Sequence, residues 1–363
     1  MTTTTTTTTT ADLKTLYGKG KKRKLLVIFA IFLALIATIL FSLSFGASSP
    51  RLGEALTVIF SKAFPFLNIG PASPLAVTII WTIRLPRIVM ALIAGAGLAT
   101  AGATMQGILR NPLVSSYILG ISSAAGFGAA LAIVFGVSIA TLAGYLVIGN
   151  AFVFCLIAMI IVYSIARIRG MSSESVILAG VAVGFLFSAL LSLMQYIAPE
   201  KNAVSAIVFW LMGGLYTASW HNLLICFPIV AVAILLMMTQ AWNINVLSMG
   251  EEVATSLGVN SKRVLSINMI LETVATASII SFTGIIGFVD LIAPHISRML
   301  IGNDHRYLIP CSALMGALML LAADTVGRLI IMPTELPVGI VTSLLGVPFF
   351  IYLLIRKRRQ HFS

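Results

Sequence analysis

The stretch Leu25–Phe45, LLVIFAIFLALIATILFSLSF, decides the fold. It holds no charged residue, and about 20 apolar residues suffice for a helix to cross the hydrocarbon of a bilayer. Lys19, Lys21, Lys22, Arg23 and Lys24 stand just before it. A basic region followed by an apolar run is also the outline of a signal peptide. This run is long enough to span, however, and no convincing cleavage site flanks it, so it reads as a retained transmembrane helix.

The rest of the chain repeats that pattern. Of its 363 residues 59% are hydrophobic and 9% charged, with a mean hydropathy of +1.06. A soluble domain is nearer a quarter charged, so a soluble fold is excluded. Breaks at Pro, Gly and charge give ten candidate spans: 25–45, 87–109, 115–136, 144–166, 175–197, 221–241, 262–283, 287–301, 309–330 and 339–355. The expected fold is an all-α polytopic membrane protein of ten helices, occupying 25–356. Residues 1–24, with the threonine run Thr2–Thr10, read as a disordered basic cytoplasmic tail, and 357–363 as a second basic cytoplasmic tail.

The net charge of +12 raises nucleic acid as a partner, but the basic residues cluster at span ends and form no stripe. With both termini in the cytoplasm, 17 basic residues fall inside. Six fall outside: Arg51, Lys62, Arg84, Arg87, Lys201 and Arg328. That asymmetry has the sign of the positive-inside rule. Within the spans, small residues recur every four positions at Gly95, Ala99 and Ala103 and at Gly120, Ala124 and Gly128, faces on which helix backbones approach closely. Pro86 and Pro310 suit the first turns of their helices, and Pro348 interrupts the last one.

The chemistry of an enzyme is missing from the sequence. It contains no GxxxxGK[ST] phosphate loop and no HExxH, and Cys155, Cys226 and Cys311 are too widely spaced for a zinc site or a disulfide framework. No resident metal or cofactor is expected. Glu251 and Glu252 open a short cytoplasmic segment near 250–263, closed by Lys262 and Arg263 in the order that a helix dipole favours. It is either a solvated connector or a docking helix. Glu272 and Asp290 interrupt apolar runs, so each should face the bundle, line a wet cavity or be protonated. His295 and Arg298 are the nearby pairing candidates for Asp290, and these four polar residues are candidates for either the pathway or the structure.

Several separated segments are more specific than hydropathy. They are RLPR at 84–87, GAGLATAGATMQGILRNPL at 95–113, GEEVATSLGV at 250–259, FTGIIGFVDLIAPHISRMLIGNDHRYLIP at 282–310, AADTVGRL at 322–329 and ELPVGIVTSLLGVPFFIYLL at 335–354. In order and spacing they resemble the FecCD/BtuC-type permeases of ABC importers for iron–siderophores, haem and vitamin B12. The resemblance implies a type II importer fold with ten helices, working as a pair with an identical or homologous second permease chain. It further implies two cytoplasmic ATP-binding cassette subunits, which use the ATP, and an extracytoplasmic substrate-binding protein, all at a bacterial inner or plasma membrane.

By the same resemblance Arg84, Arg87 and Arg328 face the binding protein. Gly250, Glu251, Glu252, Leu257 and Gly258 belong to the segment that couples to the ATPase. An iron–siderophore is the leading cargo, with haem or cobalamin next and an ion-coupled secondary transporter as the alternative of another class. The sequence departs from the family pattern at Asp290, where an apolar-flanked glycine is usual, and at Glu272, where a neutral residue is typical.

Overall fold

The computed structural model describes residues 10–45, 52–64, 73–136 and 145–359. Among these, all regular structure is helical. In chain order the helices are α1 (Thr10–Ser44), α2 (Leu52–Ala63), α3 (Pro74–Val77), a π-helical stretch (Thr78–Arg84), α4 (Leu85–Ile108), α5 (Ile121–Phe135), α6 (Leu146–Ile168) and α7 (Ser173–Ile197). Then follow α8 (Lys201–Leu211), α9 (Trp220–Thr239), α10 (Ala241–Leu247), α11 (Glu251–Ser256), α12 (Ser261–Thr283), α13 (Val289–Ile301), α14 (His305–Leu329) and α15 (Val338–Arg359).

Every one of the ten expected spans contains a helix, but their lengths divide them. Seven helical stretches among the described residues are long and apolar enough to cross a membrane. They are Gly20–Ser44, Pro74–Ile108, α6, α7, α9, α12 and α14. The 15 residues of α5 and 13 of α13 rise only about 20 Å at 1.5 Å per residue, short of a ~30 Å hydrocarbon core. Among the described residues the apolar part of α15 is Val338–Tyr352, 15 residues long.

Other boundaries also differ from the sequence reading. Helix α1 begins at Thr10, so residues 10–24 of the expected disordered tail are helical. A helix already nucleated in an apolar run extends at little cost through residues that tolerate it. Residues 1–9 and 360–363 of the two tails lie outside the described residues, as does Arg51. Pro310 sits inside α14 rather than at its start, because Asp304 caps the helix from further upstream by accepting from the Arg306 amide at 3.1 Å. Upstream of Pro86 the helix continues back to Pro74 and widens into the π form, with the Leu85 amide donating to the Ile80 carbonyl. A proline ring clashes with the carbonyl four residues earlier, and the wider turn relieves that contact.

Burial separates centre from periphery. In the most apolar window of Pro74–Ile108, 78% of residues are buried, against 17% for Gly20–Ser44, and α12 and α14 resemble the first. The small-residue face of α4 explains its closeness to α14. A Cβ on Gly95 would stand 2.3 Å from the Gly316 carbonyl oxygen, and one on Gly316 would stand 2.2 Å from that of Gly95. The two backbones touch, so α4 and α14 form a tight central pair. Gly128 plays the same part for α5, where a Cβ would meet the Asn150 carbonyl of α6 at 2.5 Å.

Candidate functional site

The α4–α14 pair is antiparallel, so one of its ends joins the start of α4 to the end of α14. That end gathers the three candidate docking arginines. Arg87 reaches Asp324 of α14 at 2.9 Å and Glu335 at 2.6 Å. Arg328 binds the other oxygen of Asp324 at 3.1 Å and donates to the Ser42 hydroxyl of α1 at 2.6 Å. Arg84 donates to the Leu43 carbonyl. Asp324 is 1% exposed and Arg328 8%, whereas Glu335 is 39% exposed. The arginines are therefore brought together as expected, but mostly as an internal node knitting α1, α4 and α14. Three guanidiniums against two carboxylates leave it one positive charge in excess. Asp324 was missed in the sequence, although an acid four residues before Arg328 on one helix face was a readable signal.

The opposite end carries the candidate coupling segment. Gly250 has φ +118°, which a side chain would strain, and opens α11. Gly258 closes it at φ +77° in a Schellman motif, the Val259 amide donating to Ala254 O at 2.8 Å and the Gly258 amide to Thr255 O at 3.0 Å. Both glycines at the segment's ends thus have a backbone reason. Glu251, Glu252 and Leu257 are exposed. Val253 and Leu257, four residues apart, are 43% and 61% exposed, and Met249, just ahead of Gly250, is 69% exposed, apolar side chains that the described residues leave uncovered. Met249 and Val253 escaped the sequence reading; the four-residue spacing of Val253 and Leu257 was the available clue. Lys262 and Arg263 do not close this helix. They lie in the first turn of α12, capped by Asn260, so the dipole argument made for them fails.

The intramembrane polar residues find local partners. Glu272 faces the bundle, buried among Leu119, Ile121, Met159 and Val162, with the Thr273 hydroxyl at 3.3 Å. Asp290 accepts from the Ser116 amide at 2.8 Å and the Ser116 hydroxyl at 2.6 Å, stapling the α4–α5 connection to the start of α13. Arg298, proposed as a partner for Asp290, instead donates to Gln106 of α4 at 3.2 Å. His295 is half-buried on α13. Asp290 also borders a cavity of about 650 Å³, whose wall includes Ser115, Tyr117, Leu211, Phe288 and Ser343.

These features define a polytopic membrane transport subunit with a charged node at one end of its central helix pair and an uncovered helix at the other. The chain matches the FecCD transport family over residues 34–356 and belongs to that family. It is an ABC importer permease, a non-catalytic transport component. Over 92% of its length it is 37% identical to the molybdate import system permease protein MolB of Haemophilus influenzae, covering 96% of that protein. It is 41% identical over 85% of its length to the cobalamin import system permease protein BtuC of Halobacterium salinarum, covering 84% of it. A solved inward-facing conformation of a metal-chelate type ABC transporter is similar with TM-score 0.79 and 35% identity, over 91% of this chain and 99% of that one.

Proposed function

We propose that this chain is the transmembrane subunit of an ATP-driven importer that moves an iron–siderophore complex from an extracytoplasmic binding protein into the cytoplasm. Two permease chains, identical or homologous, form the pathway on two cytoplasmic ATP-binding cassette subunits. The observation that carries this reading is helix α11, closed by the Schellman turn at Gly258, with the apolar Val253 and Leu257, the preceding Met249 and the Glu251–Glu252 pair all exposed. An apolar surface of that kind fits a groove on a protein partner. In this reading the protein crosses a bacterial inner or plasma membrane ten times. The short α5, α13 and α15 complete the crossings within the bundle, and both termini lie in the cytoplasm, as the excess of basic residues there supports.

At the outer face the excess positive charge of the arginine node attracts an acidic binding protein. Arg87, at 11% exposure the least enclosed of the three and paired with the exposed Glu335, is the direct contact, with Arg84 and Arg328 holding the node in place. ATP binding to the cassettes shifts the pair between outward- and inward-open states.

The metal-chelate transporter supports a chelated metal as cargo, and the BtuC likeness makes cobalamin, with haem beside it, the second reading. In proteoliposomes holding the permease pair, the cassettes and the binding protein, radio-iron bound to a siderophore should accumulate only with ATP. Uptake of cobalamin or haem but not of ferric siderophore would replace the cargo. Accumulation by this chain alone on an ion gradient would replace the mechanism by ion-coupled secondary transport.

A further inference from the structure

Five residues before the coupling segment, Asn245 of α10 reaches across to the start of α14. Its Oδ1 accepts from the His305 amide at 2.8 Å and lies 2.9 Å from His305 Nδ1. Its Nδ2 donates to Asp304 Oδ1 at 2.8 Å. A backbone N–H can only donate, so it fixes which way the Asn245 amide points, and the proton between the two side chains then belongs to His305 Nδ1. Both acceptor positions of Oδ1 are filled by one residue, the first of α14.

The same spot touches α4. A Cβ on Gly107 would stand 2.3 Å from His305 Nε2 and 2.6 Å from Ile244 Cγ2. Ile244 and Asn245 are neighbours in α10, so this one short helix grips the end of α4 through packing and the start of α14 through hydrogen bonds. Those two helices are locked to each other further along, where the Gly95 and Gly316 backbones meet.

We infer that Asn245 is a positioning residue: it clamps the coupling segment to the α4–α14 pair, so that displacement of the segment is delivered to the central helices as one body. The inference rests on the coupling reading of 250–258. A segment attached only through exposed turns would move without moving the bundle. With the clamp, α10 cannot shift without carrying α14 and α4 or breaking three hydrogen bonds.

The test uses the assembled permease–cassette complex in lipid nanodiscs. The three native cysteines are buried, so a Ser343→Cys reporter in the cavity stands out against a low labelling background. Its maleimide labelling rate, measured with and without ATP, reads the bundle's response. A separate Ser256→Cys cross-link to the cassette subunit, at an exposed polar position of α11, reads docking. Wild type should show a change in labelling rate of about fivefold or more on ATP binding. Asn245→Ala should bring that ratio towards unity while the cross-link persists. Asn245→Asp should do the same, since it sets two carboxylates together, and adding Asp304→Asn should restore the ratio by returning the donor from the other side. A variant that is merely less stable yields less complex but keeps the ratio. An undiminished ratio in Asn245→Ala would overturn the clamp, as would failure of the double substitution, Asn245→Asp with Asp304→Asn, to restore it. Absence of the Ser256→Cys cross-link with Asn245 intact would overturn the coupling reading and the clamp with it.

Discussion

The two ends of the α4–α14 pair use charge in opposite ways. In the arginine node Arg328 and Asp324 are buried, Arg87 is 11% exposed and shares Asp324 with Arg328, and Glu335 is the member whose charge is substantially exposed. At the other end Glu251 and Glu252 stand in solvent beside exposed apolar side chains, and the polar groups that are consumed internally are those of the Asn245 clamp behind them. One end is tied shut by its own charges and the other holds its contact surface out. Substitutions at the first should therefore register mainly in stability and those at the second mainly in partner binding.

The largest departure from that contrast is expected at Asp324. Asp324→Ala leaves Arg87 and Arg328 buried without their shared carboxylate. Breaking such a pair costs about 3–5 kcal/mol, which the melting of the detergent-solubilised protein would record. A melting temperature equal to wild type would mean that the node does not hold the helices together. Next comes the uncovered helix, where Leu257→Ala should weaken cassette binding about tenfold in a titration of the solubilised permease. Its own stability should change by less than about 0.5 kcal/mol, and a large loss of stability would show that Leu257 packs inside.

A smaller effect is expected at Glu335. Glu335→Gln removes the exposed carboxylate competing for Arg87, so binding-protein docking should quicken by up to about fivefold at low salt and less at high salt. Slower docking would show that Glu335 itself serves the partner. Smallest is the effect of acid at the clamp end. The Arg306 guanidinium, hydrogen-bonded to Asp304, holds its carboxyl down at about 2. With the folded value below the ordinary one near 4, the stabilisation is complete above pH 4 and disappears as the pH falls towards 2. Asp304→Asn should flatten that part of the acid melting profile slightly.

Much of this was legible in the sequence. Apolar length placed a helix in every expected span, and the four-residue spacing of Gly95 and Ala99 marked the face that meets Gly316. The apolar lengths of 287–301 and 339–355 already marked the eighth and tenth spans as short, whereas α5 was not marked, because it ends at Gly136 in the left-handed region and not at any loss of apolar character. Single residues were legible as types but not as partners. Arg84, Arg87 and Arg328 stand out as charges, yet their burial depends on Asp324, which is 237 residues from Arg87. The Ser116 partner of Asp290 and the His305 partner of Asn245 are likewise made by folding, and neither local periodicity nor spacing encodes them.

The central claim, that α11 lies in the cytoplasm beneath a cassette subunit, has a direct measurement in side-specific labelling of Glu252→Cys with a membrane-impermeant maleimide. Inverted membrane vesicles stripped of the cassettes should label, right-side-out vesicles should not, and adding the cassettes back should protect the site. Labelling from the outer side, or undiminished labelling in the presence of bound cassettes, would contradict the account.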